Sequence, residues 1–327
     1  MKRRRLLGLL AALALAPATA AQAEPYDFAI IGDLPYDAFE REHLPGLLDE
    51  IHEAGNRFVV HVGDIKQGSA PCTDQALGNA FDLLAASPLP LIYLPGDNDW
   101  ADCRRKAAGA YRPLERLEHL RKLFFATSTS LGSEPLPLAR QSNAGFGDFV
   151  ENQRWRLGPA LFVTLHIIGG DNDRLHSRGT AAGAAYRARA EANQAWLAQA
   201  FEQARAERLG VVFVFIHGNP RLEAFRDGDV ENGYTRFLRQ LDAESGRFDG
   251  RTVLVHGDTH AQRIDLPPST PRPSSRLGRL TRIESYGHPF IGWVQVSVGN
   301  GAGDAHAPAL GFKAHAYAPN ALRTIFP

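Results

Sequence analysis

A chain of 327 residues, 44% of them hydrophobic, can bury a large core, and this composition excludes an intrinsically disordered protein. Its 36 basic and 36 acidic side chains balance, which gives no sign of the strongly basic surface that nucleic acid or an anionic membrane selects.

In chain order, the first segment is residues 1–23, "MKRRRLLGLLAALALAPATAAQA". Lys2 to Arg5 make a basic start, an apolar stretch of about 12 residues follows, and Ala21-Gln22-Ala23 offers the small residues of a cleavage site. The apolar stretch stops at Pro17, short of the roughly 20 residues a membrane span needs, so it reads as a cleaved secretory signal and not as an anchor. Arg3-Arg4 ahead of Leu6-Leu7 suits a general secretory and a twin-arginine signal alike. The expectation is an exported protein, periplasmic or secreted, with a single domain over residues 24–327. Loss of the signal removes four basic residues and leaves a small acidic excess.

Six apolar or alternating runs come next: "DFAIIGD" (27–33), "RFVVHVGD" (57–64), "LPLIYLPGD" (89–97), "ALFVTLHIIGG" (160–170), "GVVFVFIHG" (210–218) and "RTVLVHGD" (251–258). Between most of them apolar residues recur every three or four positions, which predicts helices over 40–54, 73–86, 111–124, 186–208 and 233–245. Strands alternating with helices predict an α/β fold with largely parallel sheets. The tail, "PFIGWVQVSVG" (289–299) and "FKAHAYA" (312–318), is strand-rich without intervening helices. Ser, Pro and Gly mark 127–145 and 267–279 as loops. From Leu266 to Ile283 the chain carries Arg272, Arg276, Arg279 and Arg282 and no acid, the pattern of a solvated loop or of a basic flap. Cys72 and Cys103 are the two cysteines, and export predicts a single disulfide between them, with free thiols as the alternative.

Nearly every apolar run ends in Gly-Asp or in His followed by Gly: Gly32-Asp33, Gly63-Asp64, Gly96-Asp97, His217-Gly218 and His256-Gly257-Asp258-Thr259-His260. Any one of these is an ordinary turn, because Asp after Gly readily forms an Asx-turn or caps a helix. All together they place their side chains at the carboxyl ends of strands, where ligands of open α/β sheets gather. Four carboxylates meeting there must take up protons or bind cations. Mixed His and Asp donors suit divalent transition metals.

This order, Asp, then Gly-Asp, then Gly-Asp-Asn-Asp, then His, then Gly-Asp-x-His, resembles the calcineurin-like metallophosphoesterase superfamily over roughly Asp27 to Ile264. The resemblance implies two β-sheets flanked by helices (α/β/β/α) and a dinuclear metal site on the strand-end loops. By position, Asp33 and His260 would serve the first metal, Asp64 would bridge both, and His217 would serve the second. Asp97 stands where the family has an asparagine ligand, and Asp258 where it has the first histidine of the last motif; both keep a donor oxygen, so all six count as candidate ligands. Pro35 replaces a ligating histidine, and Tyr36, one place on, offers a phenol. Asn98 replaces the family's catalytic histidine. An amide donates a hydrogen bond but cannot deliver a proton, so Asp99, His166 and His256 are the alternatives for that step, with Asn98 and Asp99 as the candidate catalytic pair. His256 also reads as the satisfied end of a buried strand, Asn172 as a turn residue, Trp196 as core, and Trp100 as either a stacking or a packing residue.

The resemblance implies an exported hydrolase of a small phosphate mono- or diester, using two divalent ions (Mn, Fe, Mg or Zn). The alternative is a non-catalytic family member that binds a phosphorylated ligand or partner. A calcium-binding structural protein is disfavoured by His217 and His260, since calcium prefers oxygen.

Overall fold

The computed structural model describes residues 24–174, 181–228, 231–267, 277–301 and 308–323. The expected signal segment, residues 1–23, and Arg272 and Arg276 lie outside the described residues. No described helix is long and apolar enough to cross a membrane.

Among the described residues twelve strands form two sheets. The strands are β1 (Tyr26–Ile31), β2 (Asn56–His61), β3 (Leu91–Tyr93), β4 (Ala139–Arg140), β5 (Gln153–Leu157), β6 (Ala160–Thr164), β7 (Val211–Phe215), β8 (Arg251–His256), β9 (Arg263–Asp265), β10 (Thr281–Glu284), β11 (Gly292–Gly299) and β12 (Ala309–Ala316). The first sheet has the order β12-β11-β1-β2-β3 and the second β4-β5-β6-β7-β8-β10-β9. In the first, β1, β2 and β3 are parallel; in the second, β6, β7, β8 and β10 are parallel. The remaining strands join antiparallel at the edges.

The alternation of side chains sets the layers. Phe28 and Ile30 of β1, Phe58 and Val60 of β2, Phe213 and Phe215 of β7 and Val253 and Val255 of β8 share one buried cluster between the sheets. Their neighbours on the opposite faces divide. Ala29, Ile31 and Val59 pack under the helices Ala38–Glu53, Asp74–Ala85 and Pro113–Phe124, whereas Val212, Val214 and Leu254 pack under Ala181–Ala206 and Thr235–Gly246. Strands covered on both faces read as continuous apolar runs, which is why the sequence shows them so clearly. The result is the expected α/β/β/α architecture.

Local chemistry starts the helices. Asp37 accepts the amide of Glu40 at 2.9 Å, Thr73 accepts that of Ala76 at 3.0 Å, and Pro113 opens the third helix, where its missing N–H costs nothing. Between the sheets, the Phe28 ring stacks on Phe58 at 4.8 Å and meets the edge of Phe213 at 5.1 Å; Phe162 stacks on Phe213 at 5.1 Å. These rings bind the two sheets together, and the two sheets carry the site loops. Phe28→Ala is therefore expected to lower stability by about 3–5 kcal/mol, measured by chemical denaturation. A loss under about 1 kcal/mol would show that the aromatic layer is not the main joint.

Candidate metal centre

The loops that follow β1, β2, β3, β7 and β8 converge at one edge, and Asp33, Asp64, Asp97, His217, Asp258 and His260 meet there. Ligand-capable atoms of Asp33, Asp64 and His217 lie within 4.8 Å of one another, as do those of Asp97, His217 and Asp258. Asp33, Asp64 and Asp97 come from the first sheet, and His217, Asp258 and His260 from the second.

Backbone conformation aims these groups. Asp33, Asp64, Asp258 and His260 all have positive φ, 55°, 58°, 79° and 57°, in the left-handed region that Asp tolerates better than most residues. The preceding glycines are needed for space. A Cβ on Gly96 would lie 2.0 Å from Asp64 Oδ1, and one on Gly257 2.3 Å from Asp33 Oδ2, so no other residue fits without displacing a carboxylate.

His217 is the hub. It is fully buried; Nδ1 lies 2.8 Å from the Val62 carbonyl, which makes Nδ1 the hydrogen-bond donor and turns Nε2 toward Asp97 Oδ1 at 3.1 Å and Asp64 Oδ1 at 3.4 Å. Nε2 makes no well-formed hydrogen bond. A lone pair facing two carboxylates is repulsive unless a proton or a metal ion lies between them. His260 repeats the device: Nδ1 is 2.6 Å from the His288 carbonyl, and Nε2 faces Asp33 Oδ1 at 3.5 Å and the Tyr36 hydroxyl at 3.4 Å. An imidazole held by a carbonyl through one nitrogen, with the other turned to carboxylates, is the usual posture of a metal ligand.

Burial pushes Asp64 well above the usual carboxylate range, against the pull of His217. Burial likewise lifts Asp258 to about 6, with Asp97 adding repulsion. His217 is penalised by burial, yet Asp64 and Asp97 hold its proton and carry it well above the ordinary imidazole range. Burial works to raise Asp97, but the His217 imidazole 3.1 Å away outweighs it and brings the carboxyl down. In the absence of a cation the protein must therefore keep protons in this cluster, and divalent ions would replace them. The donor set, two clusters that meet at His217, fits two such ions.

Tyr36 and Asn98 complete the near side. The Tyr36 hydroxyl donates to Asp64 Oδ2 at 3.0 Å and accepts from Asn98 Nδ2 at 3.2 Å; the Asn98 amide nitrogen donates to Asp64 Oδ1 at 3.0 Å. Tyr36 thus reaches the space that Pro35 cannot. The disulfide forms as expected between Cys72 and Cys103, and the Asn98 carbonyl lies 3.8 Å from each sulfur.

Asp99 is a correction. Its carboxylate is fully buried and accepts the amides of Asp64 (3.0 Å), Ile65 (2.8 Å) and Gly96 (2.8 Å) and the hydroxyl of Tyr93 (2.8 Å). With its oxygens so engaged it braces the Asp64 and Asp97 loops from beneath and has no path to a leaving group. His166 and His256 leave the catalytic role as well. His166 is sealed against Glu151 at 2.7 Å, and His256 ends its buried strand with Nδ1 on the Gly257 carbonyl at 2.9 Å. Burial lowers their pKa values to about 4 and about 3. Asn172 is a turn residue receiving the Ile168 amide at 3.3 Å, and Trp196 is core. Trp100 is buried, packed edge-on against His166 at 5.4 Å.

The residues that the sequence did not single out are Glu40, Ser285 and His288. Ser285 Oγ lies 3.4 Å from Asp33 Oδ2, and Glu40 bonds His288 Nδ1 at 2.8 Å. Asp37, Glu40 and His288 form a third carboxylate-histidine cluster, but the Arg323 guanidinium already supplies its cation. No spacing rule joins Glu40 to a residue so far along the chain.

No family model matches the sequence, and no curated protein matches it. Solved structures do. A dimetal phosphatase from Danio rerio superposes with a TM-score of 0.52 at 12% identity, covering 89% of this chain and 96% of that one. This chain shares that phosphatase's fold. A purple acid phosphatase from yellow lupin (Lupinus luteus) seeds gives 0.50 at 12% identity over 90% of this chain, which spans only 52% of the lupin protein. In this shared fold the six candidate ligands stand on strand-end loops.

The two buried histidines give a pH prediction. An imidazole whose folded pKa lies below its unfolded 6.5 costs nothing above that pH; as pH falls from 6.5 toward 3 for His256, only the unfolded chain takes up the proton, and stability is lost. His256→Gln should therefore flatten the acid limb of stability against pH by up to about 1.4 kcal/mol per pH unit, read from urea unfolding between about pH 6.5 and 4. Equal slopes for variant and wild type would show that His256 is protonated in the folded protein.

Proposed function

We propose that the protein is a metal-dependent phosphoric ester hydrolase, exported to the periplasm or secreted, acting on a small phosphate mono- or diester. The observation that carries this reading is the buried His217 Nε2, which faces Asp64 and Asp97 without a proper hydrogen bond. Asp33, Asp64, His260 and the Tyr36 hydroxyl would hold one divalent ion, and Asp64, Asp97, His217 and Asp258 the other. Manganese, iron or magnesium suits this oxygen-rich set better than zinc alone. Bound there, the ions would supply Lewis acidity toward the phosphoryl oxygens and lower the pKa of water at the centre.

The chain's own residues do the rest. Val62 and His288 fix the imidazole tautomers, Asp99 keeps the two carboxylate loops rigid, and the disulfide holds the Asn98 segment beside the Asp64 loop. Asn98 Nδ2, which donates to the Tyr36 hydroxyl at 3.2 Å, would offer its second hydrogen to a substrate oxygen but cannot protonate a leaving group. Catalysis should therefore favour esters whose leaving groups depart without a proton. The buried disulfide also agrees with an oxidising compartment.

Two outcomes test this reading. Purified protein should bind close to two manganese or iron ions by elemental analysis and hydrolyse nitrophenyl phosphate esters, and Asp64→Asn should lower turnover by at least about 100-fold. Absence of both metal and turnover in wild type would favour the binding-only family member, for which Pro35 and Asn98 speak. The second outcome concerns the acid step. Asn98→His should raise turnover of alkyl phosphates by roughly 10- to 100-fold while changing nitrophenyl esters little. An equal change on both substrates would mean that Asn98 does not stand at the leaving group.

A further inference from the structure

Away from the metal loops, a cavity of about 1000 Å³ opens between the helix Pro113–Phe124, the segment around Phe149 and the start of the helix Ala181–Ala206. Its wall is largely apolar, with Leu117, Phe125, Phe149, Val150 and Tyr186, and Leu114 is one of the few large apolar side chains exposed on the surface. The volume lies at the upper end of the range for small-molecule sites.

One wall residue is out of keeping with that apolar setting. Arg189 is only 3% exposed, and its guanidinium lies over the Trp100 ring at 5.3 Å and the Tyr186 ring at 6.0 Å. Nη2 donates to the Asn172 carbonyl at 2.8 Å, while Nη1 has no partner. The other buried or half-buried cations of the wall are matched: Arg104 by Asp173 at 3.0 Å and Arg121 by Glu151 at 2.6 Å. Among the described residues no carboxylate comes within ion-pair distance of Arg189, and burial lowers its pKa to about 10. Asp173 and Glu151 attract it only from beyond ion-pair distance, and a buried cation so weakly paired destabilises a fold. A bound anion would remove that cost, and the apolar wall beside it would hold the rest of the molecule.

We propose that this cavity is a binding site for an anionic amphiphile, with one carboxylate or phosphate head set against Arg189 and an apolar body along Leu117, Phe125 and Phe149. It is separate from the metal centre, since none of the six candidate ligands lines it, and Trp100 lies in its wall. Trp100 lies three residues beyond Asp97 and its amide points to the Asp97 carbonyl at 3.4 Å, so an occupant would press on the loop that carries Asp97.

The test is calorimetric titration of the full chain, treated with EDTA so that no metal competes for the head, with dodecanoate, dodecyl phosphate and dodecanol below their micelle concentrations. One molecule of at least one anion should bind per chain, and dodecanol at least about tenfold more weakly. Whichever anion binds more tightly names the head. Arg189→Met should remove that preference with no loss of thermal stability, and Ala185→Leu, which leaves the charge and takes space from the cavity, should weaken all three. Failure of both anions to bind, equal binding of dodecanol, or unchanged affinity in either folded variant would overturn the proposal. If Arg189→Met does not fold, the comparison of anion with alcohol on wild type and the Ala185→Leu variant decide it. Loss of metal binding would leave this result untouched, because the titration is made without metal.

Discussion

Four carboxylates, Asp33, Asp64, Asp97 and Asp258, are drawn around the buried Nε2 of His217 in a space too small for independent hydration. Like charges at such distances cannot all persist without protons or cations among them. The surrounding structure is arranged so that this crowding cannot relax. The Val62 carbonyl holds the hub imidazole, the amides of Asn98, Gly169, Asn219 and Asp258 occupy carboxylate oxygens, and glycines leave no room for a loop to shift.

The site is also a seam. Half of the six converging groups come from each sheet, and the aromatic layer of Phe28, Phe58, Phe162 and Phe213 sets the sheets at the separation that lets them meet. The loops are then locked from behind by Asp99 and from the side by the Cys72–Cys103 bridge. Precision at the centre thus depends on packing some distance below it.

Much of this was legible in the sequence, for reasons that can be named. β1, β2, β6, β7 and β8 are covered on both faces and so appear as unbroken apolar runs, and a polar residue after such a run must lie at a strand end. The short β4, β9 and β10 and the mixed "QRWRL" of β5 carried no such signal, because runs this short that mix charged and apolar residues show no unbroken apolar stretch. At the site, Asp97 and Asp258 could be placed by order alone. Asp99 could not, since a carboxylate that caps buried amides and one that moves protons look alike in a string such as Gly-Asp-Asn-Asp. Tyr36 could be named only as a neighbour of Pro35; its closeness to Asp64 and His260 depends on the local path of the chain. Arg189 is hidden for a further reason: on an alanine-rich helix its spacing is that of a solvent-facing residue.

The left-handed backbone at Asp33, Asp64, Asp258 and His260 bears on how the centre can be dissected. Alanine at these places would pair a lost ligand with a conformation its Cβ disfavours, so a scan with alanine would merge misfolding with lost chemistry. Asparagine at the three aspartates keeps the tolerated conformation and the shape of the side chain while removing the charge. The centre is thus open to isosteric change and poorly suited to truncation, and the choice of substituent decides whether an experiment reports on the chemistry or on the turn that carries it.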